Sequence, residues 1–114
     1  MEVKGPTYRV WYDDASKTVH FEGSLRLNGV AEYAPIVELL DSLLASTTDE
    51  IRWDLTELEF LNSSGINVLY RHIIEARKKG GVDFKVRGTT EKPWQKKSLP
   101  NMKKFLPTLV LDLV

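Results

Sequence analysis

The chain has 114 residues, of which 42% are hydrophobic and 28% charged, and its sixteen basic residues balance its sixteen acidic ones. This length and composition are typical of one globular domain that buries its own core, so we expect a single domain over residues 1–114. A zero net charge gives no global field that favours nucleic acid or an anionic membrane, and we expect neither as a partner. The absence of cysteine excludes disulfides, thiolate catalysis and most structural zinc sites.

No apolar run approaches the roughly 20 residues that cross a bilayer, and the N-terminus lacks the core of a signal peptide. The sequence therefore predicts a cytoplasmic protein.

The first elements form an antiparallel hairpin. Tyr8–Tyr12 and Thr18–Glu22 alternate between apolar and polar residues, and Asp13–Lys17 between them has turn chemistry. A loop over Gly23–Gly29 follows, and then a helix that we expect to begin between Val30 and Pro35, because proline suits a first helical turn. The apolar stripe of this helix comprises Tyr33, Ile36, Val37, Leu40, Leu43 and Leu44.

The second half alternates strands and helices. Ser46–Asp49 ends the first helix, Glu50–Leu55 is the next predicted strand, and a loop containing Leu58 and Phe60 leads to Asn62–Gly65. A helix then runs to the stop at Gly80-Gly81. Its inward positions are Ile66, Leu69, Tyr70, Ile73 and Ile74, and its solvent face comprises Asn67, Arg71, Glu75 and Lys78.

The C-terminal third contains strands on either side of an irregular helical stretch. Val82–Val86 and Leu109–Leu113 read as strands, and three prolines divide Thr89–Pro107 into short helical pieces. The order of elements predicts an α/β fold with a mixed sheet of four to five strands flanked by helices and an N-terminal hairpin.

The start of the second helix is the most informative part of the chain for function. Ser63, Ser64 and Gly65 precede the amphipathic segment, where backbone N–H groups have no intrahelical partner and the helix dipole is positive. A serine at this place is a capping residue, an anion contact or a phosphoacceptor, and the pattern by itself leaves these three roles open.

A serine hydrolase is disfavoured because the chain has only two histidines. His72 lies nine residues after Ser63 on the same predicted helix, more than two turns away, and His20 lies on a strand. Neither histidine has near-neighbour ligand spacing and no phosphate-binding glycine loop is present, so we expect no metal site and no cofactor. The C-terminal lysines from Lys92 to Lys104 are more typical of a solvated helix face than of an RNA or membrane patch, and Trp94 suits either an interface or a packed position.

The residues around Ser63 resemble the STAS domain, the anti-sigma-factor antagonist family of the stand-alone type. The resemblance rests on Asp54-Leu55, on the run Phe60-x-x-Ser63-Ser64-Gly65-x-x-x-Leu69, on Gly23-x-Leu25 and on Gly80-Gly81, and it extends over nearly the whole chain. It implies a non-catalytic regulator that binds a protein partner.

The family's partner is an anti-sigma factor with a histidine-kinase-like ATPase fold, which phosphorylates the first serine of the Ser-Ser-Gly run, and a serine phosphatase reverses the modification. Carried over, the resemblance makes Ser63 the phosphoacceptor. It places the partner-binding surface on Asn62, Ser63, Ser64, Gly65, Asn67, Arg71 and Arg26, in a monomer or weak dimer.

Two positions depart from the family pattern. Asn62 stands where an aspartate usually precedes the phosphoacceptor, and Arg26 replaces an aspartate on the presumed binding face. STAS folds also occur in transporters and lipid-transport complexes, so a small-ligand-binding or transporter-associated subunit without a phosphoswitch is the alternative interpretation.

Overall fold

The computed structural model describes residues 1–47 and 49–114. Six strands form one sheet: β1 Glu2–Lys4, β2 Tyr8–Asp13, β3 Thr18–Leu25, β4 Glu50–Leu61, β5 Asp83–Gly88 and β6 Val110–Leu113. The helices are α1 Gly29–Ser46, α2 Ser63–Lys79, α3 Pro93–Ser98 and α4 Met102–Phe105, with a 3-10 turn at Leu99–Asn101 between the last two. The α/β fold with a mixed sheet is confirmed, with six strands instead of four to five.

The strands lie side by side in the order of the sequence. β1, β2 and β3 are antiparallel, which confirms the hairpin, and β3 to β6 are parallel neighbours. Each parallel step is bridged by a helical crossover, as parallel pairing requires. The strand missing from the sequence prediction is β1, whose three residues are too short for an alternating pattern to be recognised.

The core lies between one face of the sheet and the helices. Trp53, the largest fully buried side chain, packs edge-on against Phe21 and Phe84, with ring centroids 5.5 and 4.8 Å away. The opposite face of the sheet is polar and partly exposed, with Trp11 stacked on His20 at 4.4 Å between centroids. No helix in the described ranges is long and apolar enough to cross a membrane.

Strand β4 extends further than the sequence predicted, and the expected loop at Leu58 and Phe60 is wrong. The pairing with β3 shifts twice, once after Asp54 and once after Leu58, and each shift adds one residue to β4. These bulges change the spacing of inward residues from two to three. The buried positions of β4 are therefore Ile51, Trp53, Leu55, Leu58 and Leu61.

Helix α1 begins at Gly29, just before the predicted window, and Pro35 lies inside it. The late start that Pro35 suggested is wrong, because the helix continues through Pro35, whose side chain is exposed. The helix ends at Ser46, within the predicted Ser46–Asp49 segment, of which Thr48 lies outside the described residues. Its buried residues are Tyr33, Ile36, Leu39, Leu40 and Leu44, of which Leu39 was missed.

Helix α3 satisfies the carbonyl groups that the bulged part of β4 leaves unpaired. Gln95 is fully buried, and its Nε2 donates to the carbonyl oxygens of Leu55 at 2.6 Å and Leu58 at 3.1 Å. Trp94 Nε1 donates to the same Leu58 oxygen at 3.2 Å, and Lys92 Nζ donates to another freed carbonyl at 2.7 Å. Trp94 is thus packed against the sheet and is not a free interface anchor.

Candidate functional site

The candidate site is the junction between β4 and α2, where a single residue separates the strand from the helix. Asn62 has an extended backbone with φ −76° and ψ 174°, and its side chain accepts a hydrogen bond from the Gly65 amide at 3.0 Å. This is the bond of an N-cap residue to the third residue of its helix. The cap is therefore Asn62 and not Ser63, and the capping role considered for Ser63 is wrong.

The Asn62 side chain also joins α2 to two other elements. Its Oδ1 accepts a hydrogen bond from the Tyr33 hydroxyl on α1 at 2.6 Å, and its Nδ2 donates to the Leu27 carbonyl after β3 at 2.8 Å. Burial raises the pKa of Tyr33, which keeps its hydroxyl protonated as a donor. One half-buried amide thus fixes the start of the helix from three sides.

This geometry explains why asparagine occupies the position. An aspartate could still accept from the Gly65 amide and from Tyr33, but its second oxygen would face the Leu27 carbonyl with no proton to donate. The asparagine at this position therefore has a structural cause, because its amide supplies a donor that a carboxylate lacks.

The three residues after the cap differ in exposure. Ser63 is exposed, Ser64 is half-buried and Gly65 is buried. A Cβ atom on Gly65 would lie 2.6 Å from the Tyr33 hydroxyl and closer still to Leu61, so no larger residue fits without displacing its neighbours. Gly65 shapes the site through close packing, and Ser63 is the residue that the helix start presents to solvent.

Of the remaining predicted site residues, Asn67 and Arg26 lie close to the helix start, whereas Arg71 lies about 12 Å along α2 from Ser63. Asn67 and Arg71 are exposed, one helical turn apart, on the predicted solvent face of α2. Arg26 follows β3, and its guanidinium stacks over the Phe60 ring at 4.3 Å to the centroid. Leu25 and Leu61 are register partners, so Arg26 and Asn62 follow neighbouring parallel strands at the same edge of the sheet.

The sequence prediction missed two residues of this site. Phe60, which is 37% exposed, was assigned to a loop, and Tyr33 was assigned only to the core stripe of α1. An exposed aromatic residue in the Phe-x-x-Ser run was the available signal for Phe60. Nothing in the sequence pairs Tyr33 with Asn62, which lies 29 residues away.

The electrostatic environment at Ser63 is compatible with an anion. The first turn of α2 contains no acidic residue, and the basic residues Arg77, Lys78 and Lys79 lie in its last turn. The amides of Ser63 and Ser64 precede the first residue that can bond within the helix, so their N–H groups point out of the helix end. An anion bound at this helix start would therefore lie at the positive end of the helix dipole.

Both histidines lie away from Ser63, which confirms the geometric part of the argument against a serine hydrolase. His72 is buried, stacks on Trp53 at 5.6 Å and points its Nδ1 at Asp41, 3.5 Å away. His20 lies on the open face of the sheet, where its Nδ1 is 3.8 Å from Asp54. The distance along α2 from Ser63 to His72 is about 13 Å.

Comparisons of the sequence with known proteins give no match. No family model matches the chain, and no curated protein matches it.

Comparison with solved structures shows a shared fold with SiaC of Pseudomonas aeruginosa. A chain in the crystal structure of the diguanylate cyclase SiaD in complex with its activator SiaC is 14% identical with a TM-score of 0.72, over 100% of this chain and 99% of that chain. Apo-SiaC is 12% identical with a TM-score of 0.71, over 99% and 98%. A further SiaC structure is 14% identical with a TM-score of 0.63, over 100% and 94%.

These likenesses establish the fold, which is an α/β fold of the STAS-like kind. They extend from end to end of the chain, so the helix start at Asn62 belongs to a domain of the same architecture as SiaC.

Proposed function

We propose that this chain is a non-catalytic regulatory module that binds a protein partner through the start of α2. The Ser63 surface, as we define it, consists of Ser63, Ser64, Asn67, Arg71 and Arg26, and Asn62 and Gly65 hold its shape from behind. The observation that carries the proposal is that Ser63 is the exposed first residue of a helix whose start is fixed by the hydrogen bonds of Asn62.

Two lines of support favour regulation over catalysis. His72 faces Asp41 and His20 faces Asp54, and both rings lie away from Ser63, so the Ser63 hydroxyl has no imidazole base. SiaC, which shares the fold, is an activator of a diguanylate cyclase in the solved complex. A helix start that is fixed by hydrogen bonds and exposes a hydroxyl suits a domain that acts by binding a partner.

The partner in this proposal is a signalling protein of one of two kinds. The resemblance around Ser63 suggests an anti-sigma factor with a serine-kinase ATPase fold, together with a phosphatase, whereas the shared fold with SiaC suggests a nucleotide cyclase. Arg26 favours a partner with an acidic contact surface, because the family's aspartate at that position is reversed in charge here.

Phosphorylation of Ser63 is the proposed switch. A phosphoserine adds a charge of about −1.5 to −2, which the helix dipole tolerates within the fold. A partner packed over the same residue would have to desolvate that charge. A penalty of about 3 kcal/mol would weaken binding more than a hundredfold.

The test compares partner binding by wild type, Ser63→Ala and Ser63→Asp, with Ser42→Asp as the matched control on the exposed face of α1. Purified anti-sigma kinases and diguanylate cyclases are titrated against each form by calorimetry. We expect Ser63→Asp to bind about tenfold more weakly than wild type, which corresponds to about 1.4 kcal/mol, while Ser42→Asp and Ser63→Ala bind as wild type does.

The phosphorylation itself is measured by mass spectrometry after incubation with a kinase and ATP. Phosphate on Ser63 supports the switch. Modification confined to other residues, together with equal partner binding by Ser63→Asp and Ser42→Asp, would refute the proposal.

A further inference from the structure

A groove of about 230 Å³ lies between α1 and α2 on the solvent side of the helix layer. One half of it is apolar: Val30 is 72% exposed, Val37 and Val68 are half-buried, and Leu40 lies beneath them. Apolar side chains left partly uncovered in a concave surface are typical of a docking site for an amphipathic segment.

The other half of the groove is charged and is lined by Asp41, Glu75 and Arg71. Asp41 and Glu75 also line a second depression, which continues along the same helix pair towards Leu44 and contains Lys78 and Lys79. Glu75 is paired with Lys78 at 3.3 Å, with both side chains exposed, and Arg71 lies one turn before Glu75.

Asp41 carries a charge that its neighbour does not neutralise. Its side chain is 60% exposed and faces His72 Nδ1 at 3.5 Å. Burial lowers the pKa of His72 against the opposing effects of Asp41 and Glu75, which disfavours a positive charge on the ring that would neutralise Asp41. The carboxylate of Asp41 is therefore available to a cation that enters the groove.

We propose that the α1–α2 groove binds an amphipathic helical segment of the protein partner, with its apolar side chains against Val30, Val37 and Val68 and a lysine or arginine at Asp41. The inference rests on the proposed function, since it concerns the same partner. Arg71 belongs both to the Ser63 surface and to the groove wall, so one partner can cover both continuously.

The spacing along α1 defines the sequence of the segment. At 1.5 Å per residue, Val30 and Val37 are about 10 Å apart, and Asp41 is about 6 Å further along. A bound helix alongside α1 thus needs apolar residues over two turns and a basic residue one turn beyond them.

The α1 helix of a second copy does not have the required basic residue, because its charged residues are Glu32, Glu38 and Asp41. Two copies that placed α1 against α1 would bring acidic helices together, which disfavours that arrangement. A copy that placed Arg71 of α2 against Asp41 would instead form a dimer, which sedimentation detects.

The test uses synthetic helical peptides of about 18 residues with leucines over two turns and one arginine a turn beyond, and a matched peptide with glutamate in place of the arginine. Each peptide is also made in reverse sequence, because a helix can enter in either direction, and binding is followed by fluorescence anisotropy. We expect the arginine peptide to bind about tenfold more tightly than the glutamate peptide.

Variants of the protein locate the binding. Val68→Ser should weaken the arginine peptide about tenfold, and Asp41→Asn should remove the discrimination between the two peptides. Val110→Ser, which alters an exposed valine on the edge strand β6, is the matched control and should change neither affinity.

Equal binding of both peptides, or no binding by either, would overturn the inference, as would a dimer in sedimentation that Val68→Ser dissociates. A partner that is lost with Ser63→Asp but unaffected by Val68→Ser would retain the proposed function and refute the groove. If the protein discriminates between the arginine and glutamate peptides but Ser63→Asp weakens binding to no partner, the groove is retained and the proposed function is refuted.

Discussion

The hydrogen bonds of Asn62 give the sharpest prediction about stability. Asn62→Ala removes the cap to the Gly65 amide, which costs about 1 kcal/mol. It also leaves the Leu27 carbonyl and the Tyr33 hydroxyl without their partners at 2.8 and 2.6 Å, at about 1 kcal/mol each. The Tyr33 hydroxyl retains a weaker contact to the Leu25 carbonyl at 3.4 Å, so the expected total is about 2–3 kcal/mol.

The substitution Asn62→Asp distinguishes the energetic contribution of the helix cap from that of the other hydrogen bonds of Asn62. It keeps the acceptor for the Gly65 amide and gains about 0.3–1 kcal/mol from the helix dipole. It loses the donor to Leu27 and places a charged oxygen against that carbonyl, at about 1–3 kcal/mol. We expect Asn62→Asp to be less stable than wild type and more stable than Asn62→Ala.

The assay is urea unfolding at pH 7 followed by the intrinsic fluorescence of the three tryptophans, of which Trp53 is buried. The matched control is Asn28→Ala, because Asn28 is the N-cap of α1 and makes no side-chain cap bond. That variant should remain within about 0.5 kcal/mol of wild type. An Asn62→Ala protein as stable as Asn28→Ala, or an Asn62→Asp protein more stable than wild type, would refute the reasoning.

Three other predictions concern the packing of Gly65, His72 and Gln95. Gly65→Ala should lower the free energy of unfolding, measured in urea, by about 1–3 kcal/mol because the added Cβ has no room. The control is Asn67→Ala, an exposed position on the same helix, for which the free energy of unfolding should be unchanged or slightly higher. Burial lowers the pKa of His72 in the folded state, so the unfolded state binds the proton at a higher pH than the folded state does. The free energy of unfolding of wild type should therefore decrease as pH drops below about 6.5. In unfolding curves measured between pH 5 and 7.5, this decrease should be smaller for His72→Gln. Gln95→Leu should cost at least about 2 kcal/mol, measured as a lower urea midpoint, because buried groups on α3 and β4 lose their partner; unchanged stability in Gln95→Leu relative to the exposed Lys96→Ala would contradict this.

The sequence predicts most of the fold because its strands and helices keep regular apolar periods. It fails on β4, where the period changes within one element. Ile51, Trp53 and Leu55 alternate as in any strand, but Leu58 and Leu61 follow at intervals of three, which resembles a loop or a helical turn. The two bulges behind this change depend on β3 and on the side chains of α3, neither of which is local information.

The helix start at Ser63 was predictable in position, but the contacts made by its residues were not. The Ser-Ser-Gly run correctly marks a helix start and an exposed Ser63, because these depend on local sequence. The hydrogen-bonding role of Asn62 depends on Tyr33 and Leu27, which are distant in sequence and come close to it only in the folded chain. The burial of His72 likewise follows from the packing of α1 on α2 and not from its own helix.

Asn62 is all that separates β4 from α2, and the chain has no slack there. Because this connection is so short, we do not expect a modification at Ser63 to move α2 relative to β4. In the switch proposed above, phosphorylation of Ser63 therefore acts through the added charge and not through a change in backbone shape. Modified and unmodified forms should therefore superpose, and the difference between them should be visible only to the molecule that docks.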